Sequence, residues 1–136
     1  MATTRIIPMH LNKGKTLTQC LADRTEYGMN PDKTEGGALI SAFACEPETA
    51  VSEFALSKRE YRELTGRVQE SDIIAYQVRQ SFKPGEVTPE EANRIGYEFA
   101  QRFLKSEHAF LVSTHTDKKH NHNHIYRNST ALDCTK

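Results

Sequence analysis

The stretch His115-Thr-Asp-Lys-Lys-His120-Asn-His122-Asn-His124 constrains this chain more than any other. Five of the six histidines lie at or after His108, and four crowd into those ten residues. Extended to Asn128, the pattern reads H-x-D-x(4)-H-x-H-x(3)-N across two apolar, β-branched segments. Side chains alternate along a strand, so His122 and His124 leave one face, and His115 can reach that face from a neighbouring strand. The expected strands are Ala109–His115 and Asn121–Asn128, joined as a hairpin by Thr116–His120. Three converging neutral imidazoles would bind a divalent ion and leave positions open for a substrate. A closed structural zinc site would want a fourth ligand, and Cys134 is the nearby thiol. His120 breaks the alternation and is expected in the loop, solvated. An all-histidine shell admits Zn, Mn, Ni or Cu, so the ligands alone do not name the ion. The competing reading is a surface hairpin whose histidines are incidental.

Asp117 lies two residues after His115. It could hold an imidazole in its ligating tautomer, take a proton during reaction, or cap the turn. Asn128 could bond a ligating histidine or simply end a strand. His10 and His108, apart from the cluster, read as ordinary histidines.

A chain of 136 residues fits one compact domain. Lysine plus arginine and aspartate plus glutamate both total 18, so the net charge of zero gives no global nucleic-acid footprint. Charge is uneven, however: the first fifteen residues carry Arg5, Lys13 and Lys15 with no acid, and Lys118 and Lys119 sit inside the histidine hairpin. Cys20, Cys45 and Cys134 are odd in number and lack any C-x-x-C, which reads as reduced thiols of a cytoplasmic protein. No apolar run approaches membrane-spanning length, so no membrane partner is expected.

Ahead of the hairpin, Thr4–Leu11 suits a first strand, and Pro8 marks it as an edge or a bulge. Asn12–Lys15 turns the chain. Thr16–Tyr27 predicts a helix with Leu17, Cys20, Leu21, Arg24, Tyr27 and Gly28 as its stripe, stopped by Asn30-Pro31 and followed by a polar loop to Gly37. Ala38–Cys45 is apolar on both faces and predicts a more buried strand. Pro47–Leu64 predicts a helix with Ala50, Phe54, Tyr61 and Leu64 inward and Gly66 as its C-terminal cap. Asp72–Phe82 predicts a third long strand, whose polar face, Gln77, Arg79 and Ser81, is where substrate contacts are expected. Thr88-Pro-Glu-Glu91 starts a helix with a capping box, and Ala92, Ile95, Gly96, Phe99 and Phe103 give its sheet-facing stripe. The order βαβαβαββ predicts an α+β fold: a largely antiparallel sheet of about five strands, helices on one face, and the other face open to carry the site. Tyr27 has no catalytic standing from helical spacing alone.

Three motifs together change that. The histidine pattern resembles the third motif of the conjugative relaxases, HUH-type plasmid mobilisation nucleases. Asp23-Arg-Thr-Glu-Tyr27 with Asn30-Pro31-x-Lys33-Thr34 resembles the nucleophile segment of the MobP-like branch, in which the tyrosine precedes the histidines. Gln80-Ser81-Phe82-x-Pro84-Gly85-Glu86 with Thr88-Pro89-Glu90 is similar to that branch's middle motif. The resemblance implies an HUH-endonuclease palm and strand-specific nicking at an origin of transfer through a 5′-phosphotyrosyl intermediate. It implies Tyr27 as nucleophile, His115, His122 and His124 as ligands of a divalent ion, Mg or Mn ahead of Zn or Ni, and Ser81 as a phosphate contact. Asp117 would act as a catalytic group, Arg79, Lys118 and Lys119 would bind substrate, and Asn128 would support a ligand. The implied partners are single-stranded DNA, relaxosome accessory proteins and a coupling protein. Relaxases of this kind continue well beyond the last histidine strand, whereas this chain ends at Lys136, which leaves open a C-terminal truncation. The alternative function is then a non-catalytic metal- and DNA-binding accessory module.

Overall fold

A computed structural model describes residues 3–10, 14, 16–66, 73–117 and 120–134. Its elements follow the expected order: β1 (Thr3–His10), α1 (Leu17–Gly28), β2 (Ile40–Phe43), α2 (Ala50–Thr65), β3 (Ile73–Ser81), α3 (Pro89–Leu104), β4 (Phe110–His115) and β5 (His122–Asn128). The five strands form one sheet in the order β1-β3-β5-β4-β2, every neighbouring pair antiparallel. Lys118, Lys119 and most of the Asn12–Lys15 turn lie outside the described residues.

The pairing register fixes which residues share a face, because directly opposed residues point the same way. One face carries the row Thr3, Ser81, His122, His115, then Arg5, Arg79, His124, Ser113, then Ile7, Gln77, Tyr126, Leu111. The other carries Thr4, Gln80, Asn123, Thr114 and then Ile6, Val78, Ile125, Val112. Cys20 and Leu21 of α1 and Ala50 and Phe54 of α2 pack with Met9, Ala75, Leu111 and Tyr126 on the first face. Ala100 and Leu104 of α3 pack with Val78, Phe110, Val112 and Ile125 on the second.

Helices therefore cover both faces, not one as the sequence suggested. The histidines share a face with α1 and α2, and the end of α1, at Tyr27 and Gly28, packs against them. Covering on both sides also explains β2. It was expected in a buried position because it is apolar on both faces, yet it is an edge strand. Ala42 packs into the first core and Phe43 into the second, so both of its faces need apolar residues although it has one neighbour.

Two helices differ from their expected stripes. In α3 the buried residues are Ala92, Gly96, Ala100 and Leu104. Phe99 and Phe103 instead stack on each other at the flank, ring centroids 5.6 Å apart, with Phe103 49% exposed. A Cβ on Gly96 would lie 2.6 Å from the Asn123 amide nitrogen and 2.9 Å from Val112, so small residues let this helix approach the sheet closely. In α2, Ala50 and Phe54 are buried as expected, while Leu64 is 67% exposed. The helix ends at Gly66 in the left-handed region, φ 66°. Thr88 caps α3 by accepting a hydrogen bond from Glu91 N, whereas the full capping box occurs at α1, between Thr16 and Gln19.

Candidate metal and nucleophile site

β4 is apolar in its first half, Phe110 to Val112, β5 carries Ile125 and Tyr126 at its middle, and the two strands meet at the pair His115 and His122. The imidazoles of His115, His122 and His124 each offer a ring nitrogen, all within 4.8 Å of one another. Ring centroids lie 4.2 Å apart for His115 and His124 and 5.0 Å for His115 and His122. His115 and His124 are buried and His122 is half-buried. Burial first, then the neighbouring His115, pushes the His122 pKa down to about 4. The same causes, joined by His122, Arg79 and Lys33, push His124 to about 3. Both rings are therefore neutral near pH 7, the form that binds a metal ion.

The ring orientations have specific supports. His115 Nε2 lies 2.7 Å from the Gly28 carbonyl oxygen and so carries the proton, which puts the ring's lone pair on Nδ1. His124 Nδ1 lies 2.7 Å from the Gln77 side-chain amide. The group there is the Gln77 amide nitrogen, which donates to Nδ1; a metal on His124 Nε2 would require the proton on Nδ1 and the Gln77 amide turned round. Among the described residues, the buried side-chain atoms with no hydrogen-bond partner are His122 Nδ1 and Ser113 Oγ. Buried polar atoms are ordinarily paired, and these two are on the histidine face in adjoining rows. The donor set, its neutrality and an unpartnered ring nitrogen all fit a divalent ion.

Tyr27 stands against this cluster. Its ring is edge-on to His115 at 6.1 Å between centroids and to His124 at 6.2 Å. It is 54% exposed, on the solvent edge of α1 and not in the core stripe, which runs through Cys20, Leu21, Thr25 and Gly28. Gly28 is needed where α1 meets the sheet, because a Cβ there would lie 2.7 Å from Tyr126 Cζ. Tyr126 in turn stacks parallel to His124, centroids 6.4 Å apart.

Lys33 is the residue that sequence reasoning left without a role. Its Nζ donates to Tyr27 Oη at 3.2 Å, lies 4.2 Å from the ring centroid, and is 3.8 Å from the Asp117 carboxylate. The hydrogen bond to Tyr27 is the largest cause holding the ammonium above its ordinary pKa range. The loop that delivers it is stitched to β4: Thr34 Oγ1 donates to Asn30 O, Thr116 N to Lys33 O, and Thr114 N to Leu39 O. The signal for it was the Asn30-Pro31-x-Lys33-Thr34 spacing, which was noted only as part of a motif.

The other expected site residues divide. Arg79 and Ser81 are on the histidine face, paired with His124 and His122. Asp117 reaches Lys33 and not a described imidazole hydrogen bond. His120 lies in the loop, its ring 5.5 Å from that of His122. Asn128 is not beside the histidine cluster: it lies four residues beyond His124, roughly 13 Å along the strand. Its side chain bonds Lys58 at 2.8 Å and Ser57. His108, as expected, is apart from the cluster, with Nδ1 3.0 Å from Asn128 O.

A buried histidine cluster with a tyrosine at its mouth, on a five-stranded antiparallel sheet, defines a compact class of site. Residues 27–136 match the family described as relaxase, MobA/VirD2-like, nuclease domain, and the chain belongs to that family. A Staphylococcus aureus protein named rlx is 45% identical over 96 residues, covering 71% of this chain and 28% of the relative. A second rlx from the same species is 43% identical over 93 residues, covering 68% of this chain and 27% of the relative. The group II intron-interrupted relaxase LtrB of Lactococcus lactis is 31% identical over 126 residues, covering 78% of this chain and 22% of the relative. The chain thus matches between about a fifth and three tenths of these relatives' length. Among the described residues, no helix is long and apolar enough to cross a membrane.

Proposed function

We propose that this chain is a relaxase-type single-strand DNA nickase that cuts by transesterification at an origin of transfer. The observation that carries the reading is the meeting of Tyr27, from the end of α1, with His115 and His124 from β4 and β5, at 6.1 and 6.2 Å between ring centroids. Family membership supports the same reading.

Tyr27 Oη attacks the scissile phosphorus, an O–P bond forms, and the bond from phosphorus to the 3′-oxygen breaks. The phenol proton leaves, the 3′-oxygen takes one up, and the 5′-phosphate stays on Tyr27, so the bond energy is kept for rejoining. A divalent ion, Mg or Mn, held by His115, His122 and His124 would supply positive charge at a non-bridging phosphate oxygen. Lys33 donates to the attacking oxygen, favouring the phenolate as nucleophile and as leaving group in the reverse reaction. Asp117 holds Lys33 in place through the 3.8 Å ion pair. Ser81 and Arg79 contact phosphate from β3, and the exposed half of Tyr27 gives the strand access.

Incubation with origin-derived single strands and Mn²⁺, resolved on a denaturing gel, tests this. A protein–DNA adduct is expected, absent from Tyr27→Phe. Identical products from the two proteins would refute the assigned nucleophile, and metal and DNA binding without any adduct would favour the accessory module.

A further inference from the structure

The histidine face carries a second guanidinium, Arg5 on β1, that the nicking chemistry leaves unexplained. Arg5 of β1 is directly opposite Arg79 of β3, and Arg79 is directly opposite His124 of β5. All three side chains therefore project from one face in one line across three strands. With neighbouring strands about 4.8 Å apart, Arg5 is anchored roughly 10 Å from His124. The adjoining row runs Thr3, Ser81, His122 and adds two hydroxyls. Further along the same face, α1 and α2 bury Met9, Ala75 and Gln77; at this corner Thr3, Arg5 and Arg79 are exposed.

Like charges directly opposed on neighbouring strands cost stability. Among the described residues neither arginine has an acidic partner to offset that cost. The chain as a whole holds 18 acidic residues, and the first of them in sequence comes after the first fifteen positions. An anion lying between the two guanidinium groups would turn the repulsion into paired attraction, and arginine's planar fork suits a phosphate.

We propose that Arg5 and Arg79 form a phosphate track that leads the backbone of single-stranded DNA from the β1 edge to the histidine cluster. The proposal rests on the relaxase reading above and adds the path of the strand. The track ends at imidazoles that are buried or half-buried beside the half-exposed ring of Tyr27. Contacts of this kind set the position of the strand and carry no base preference.

Anisotropy of a labelled mixed-sequence oligonucleotide, measured across a salt series, tests the track. Arg5→Ala and Arg79→Ala should each bind several-fold more weakly and flatten the plot of log K against log salt by about 0.7. Arg5→Lys should keep most of the slope, and Arg94→Ala, on α3 across the sheet, should keep all of it. Without DNA at low salt, Arg5→Ala should melt at or above the wild-type temperature, which excludes misfolding as the cause of its weaker binding. A wild-type slope in Arg5→Ala, or an equal loss in Arg94→Ala, would overturn the track alone. A wild-type protein with no single-strand affinity would overturn the track and the relaxase reading together.

Discussion

The two faces of the sheet use the same strands at the same rows and reach opposite outcomes. On one face Ser81, His122 and His115 stand together with an unpartnered ring nitrogen at His122 and an unpartnered hydroxyl at Ser113 in the adjoining row. On the other face, one residue away along each strand, Gln80, Asn123 and Thr114 are buried and bonded among themselves. The Asn123 amide nitrogen donates to Gln80 Oε1 at 3.1 Å and to Ala92 O at 2.7 Å, and Thr114 Oγ1 donates to Asn123 Oδ1 at 2.6 Å. Asn93 of α3 adds a bond to Thr114 at 3.1 Å. A satisfied buried network fixes register, whereas neighbouring imidazoles with spare capacity are available for a ligand. Because side chains alternate, a one-residue slip would exchange the two sets. The asparagine network thus holds the register that puts the histidines on the face they share with Tyr27.

The sharpest way to break this comparison is to exchange losses between the faces. His122→Ala should weaken Mn²⁺ binding by on the order of 100-fold or more, since loss of a ligand should exceed the effect of losing an outer partner. His120→Ala, in the loop, should change it little, and neither should lower the melting temperature appreciably. Titration calorimetry reads the affinities; equal effects would remove His122 from the ligand set. Asn123→Ala should do the reverse, lowering stability by roughly 2–4 kcal/mol because Thr114 and Gln80 lose partners. Urea unfolding measures that, and a stability within experimental error of wild type would show that register is held elsewhere.

This division was partly legible in the sequence. The alternation of His122, Asn123 and His124 gave the histidine face, and βαβαβαββ gave the element order. The role of Asn123 is not legible from spacing, because it depends on Gln80 and Ala92, brought opposite it only by the fold. Alternation also says nothing about which face a helix will cover, so α3 on the back of the sheet was not foreseen. Its Phe99 and Phe103 read as core by spacing, yet contact distance at Gly96 favours alanine and glycine against Asn123. Asn128 has the right parity for the histidine face and the wrong distance. Lys33 reaches Tyr27 through a loop conformation set by Thr34, Asn30 and Thr116, which spacing alone does not encode.

Gly28 joins the proposed nucleophile to the cluster, since its carbonyl oxygen accepts from His115 and its neighbour is Tyr27. Gly28→Ala should force α1 away from Tyr126 and displace the tyrosine together with the bond to His115. Adduct formation should fall by about 100-fold, as expected for displacement of a reacting group by ~1 Å, with the fold retained. Adding Tyr126→Leu, which shortens the opposing side chain, should restore part of the rate. Absence of any recovery in single-turnover gels would place the defect somewhere other than this contact.

The smallest effect comes from the far end of the histidine face, where a half-buried cation has three oxygen partners. Lys58 Nζ bonds Asn128 Oδ1 at 2.8 Å and Thr130 Oγ1 at 3.2 Å, with Ser129 beside them. These neutral oxygens do not replace water for a full charge, and burial, with Arg127 nearby, lowers the Lys58 pKa to about 8. Below that value both folded and unfolded chains carry the proton, and the cost of burying the charge is present in full. Between about pH 8 and the unfolded value of about 10.4, the folded chain sheds its proton first, so the unfolded chain binds more protons and stability rises with pH. The lysine should therefore contribute a gain of roughly 1–2 kcal/mol between about pH 7.5 and about pH 9.5. Urea midpoints of wild type and Lys58→Met, compared across that range, isolate it from other titrating groups. Parallel pH profiles would mean that water reaches Lys58 and that the cation at this end of the sheet is solvated.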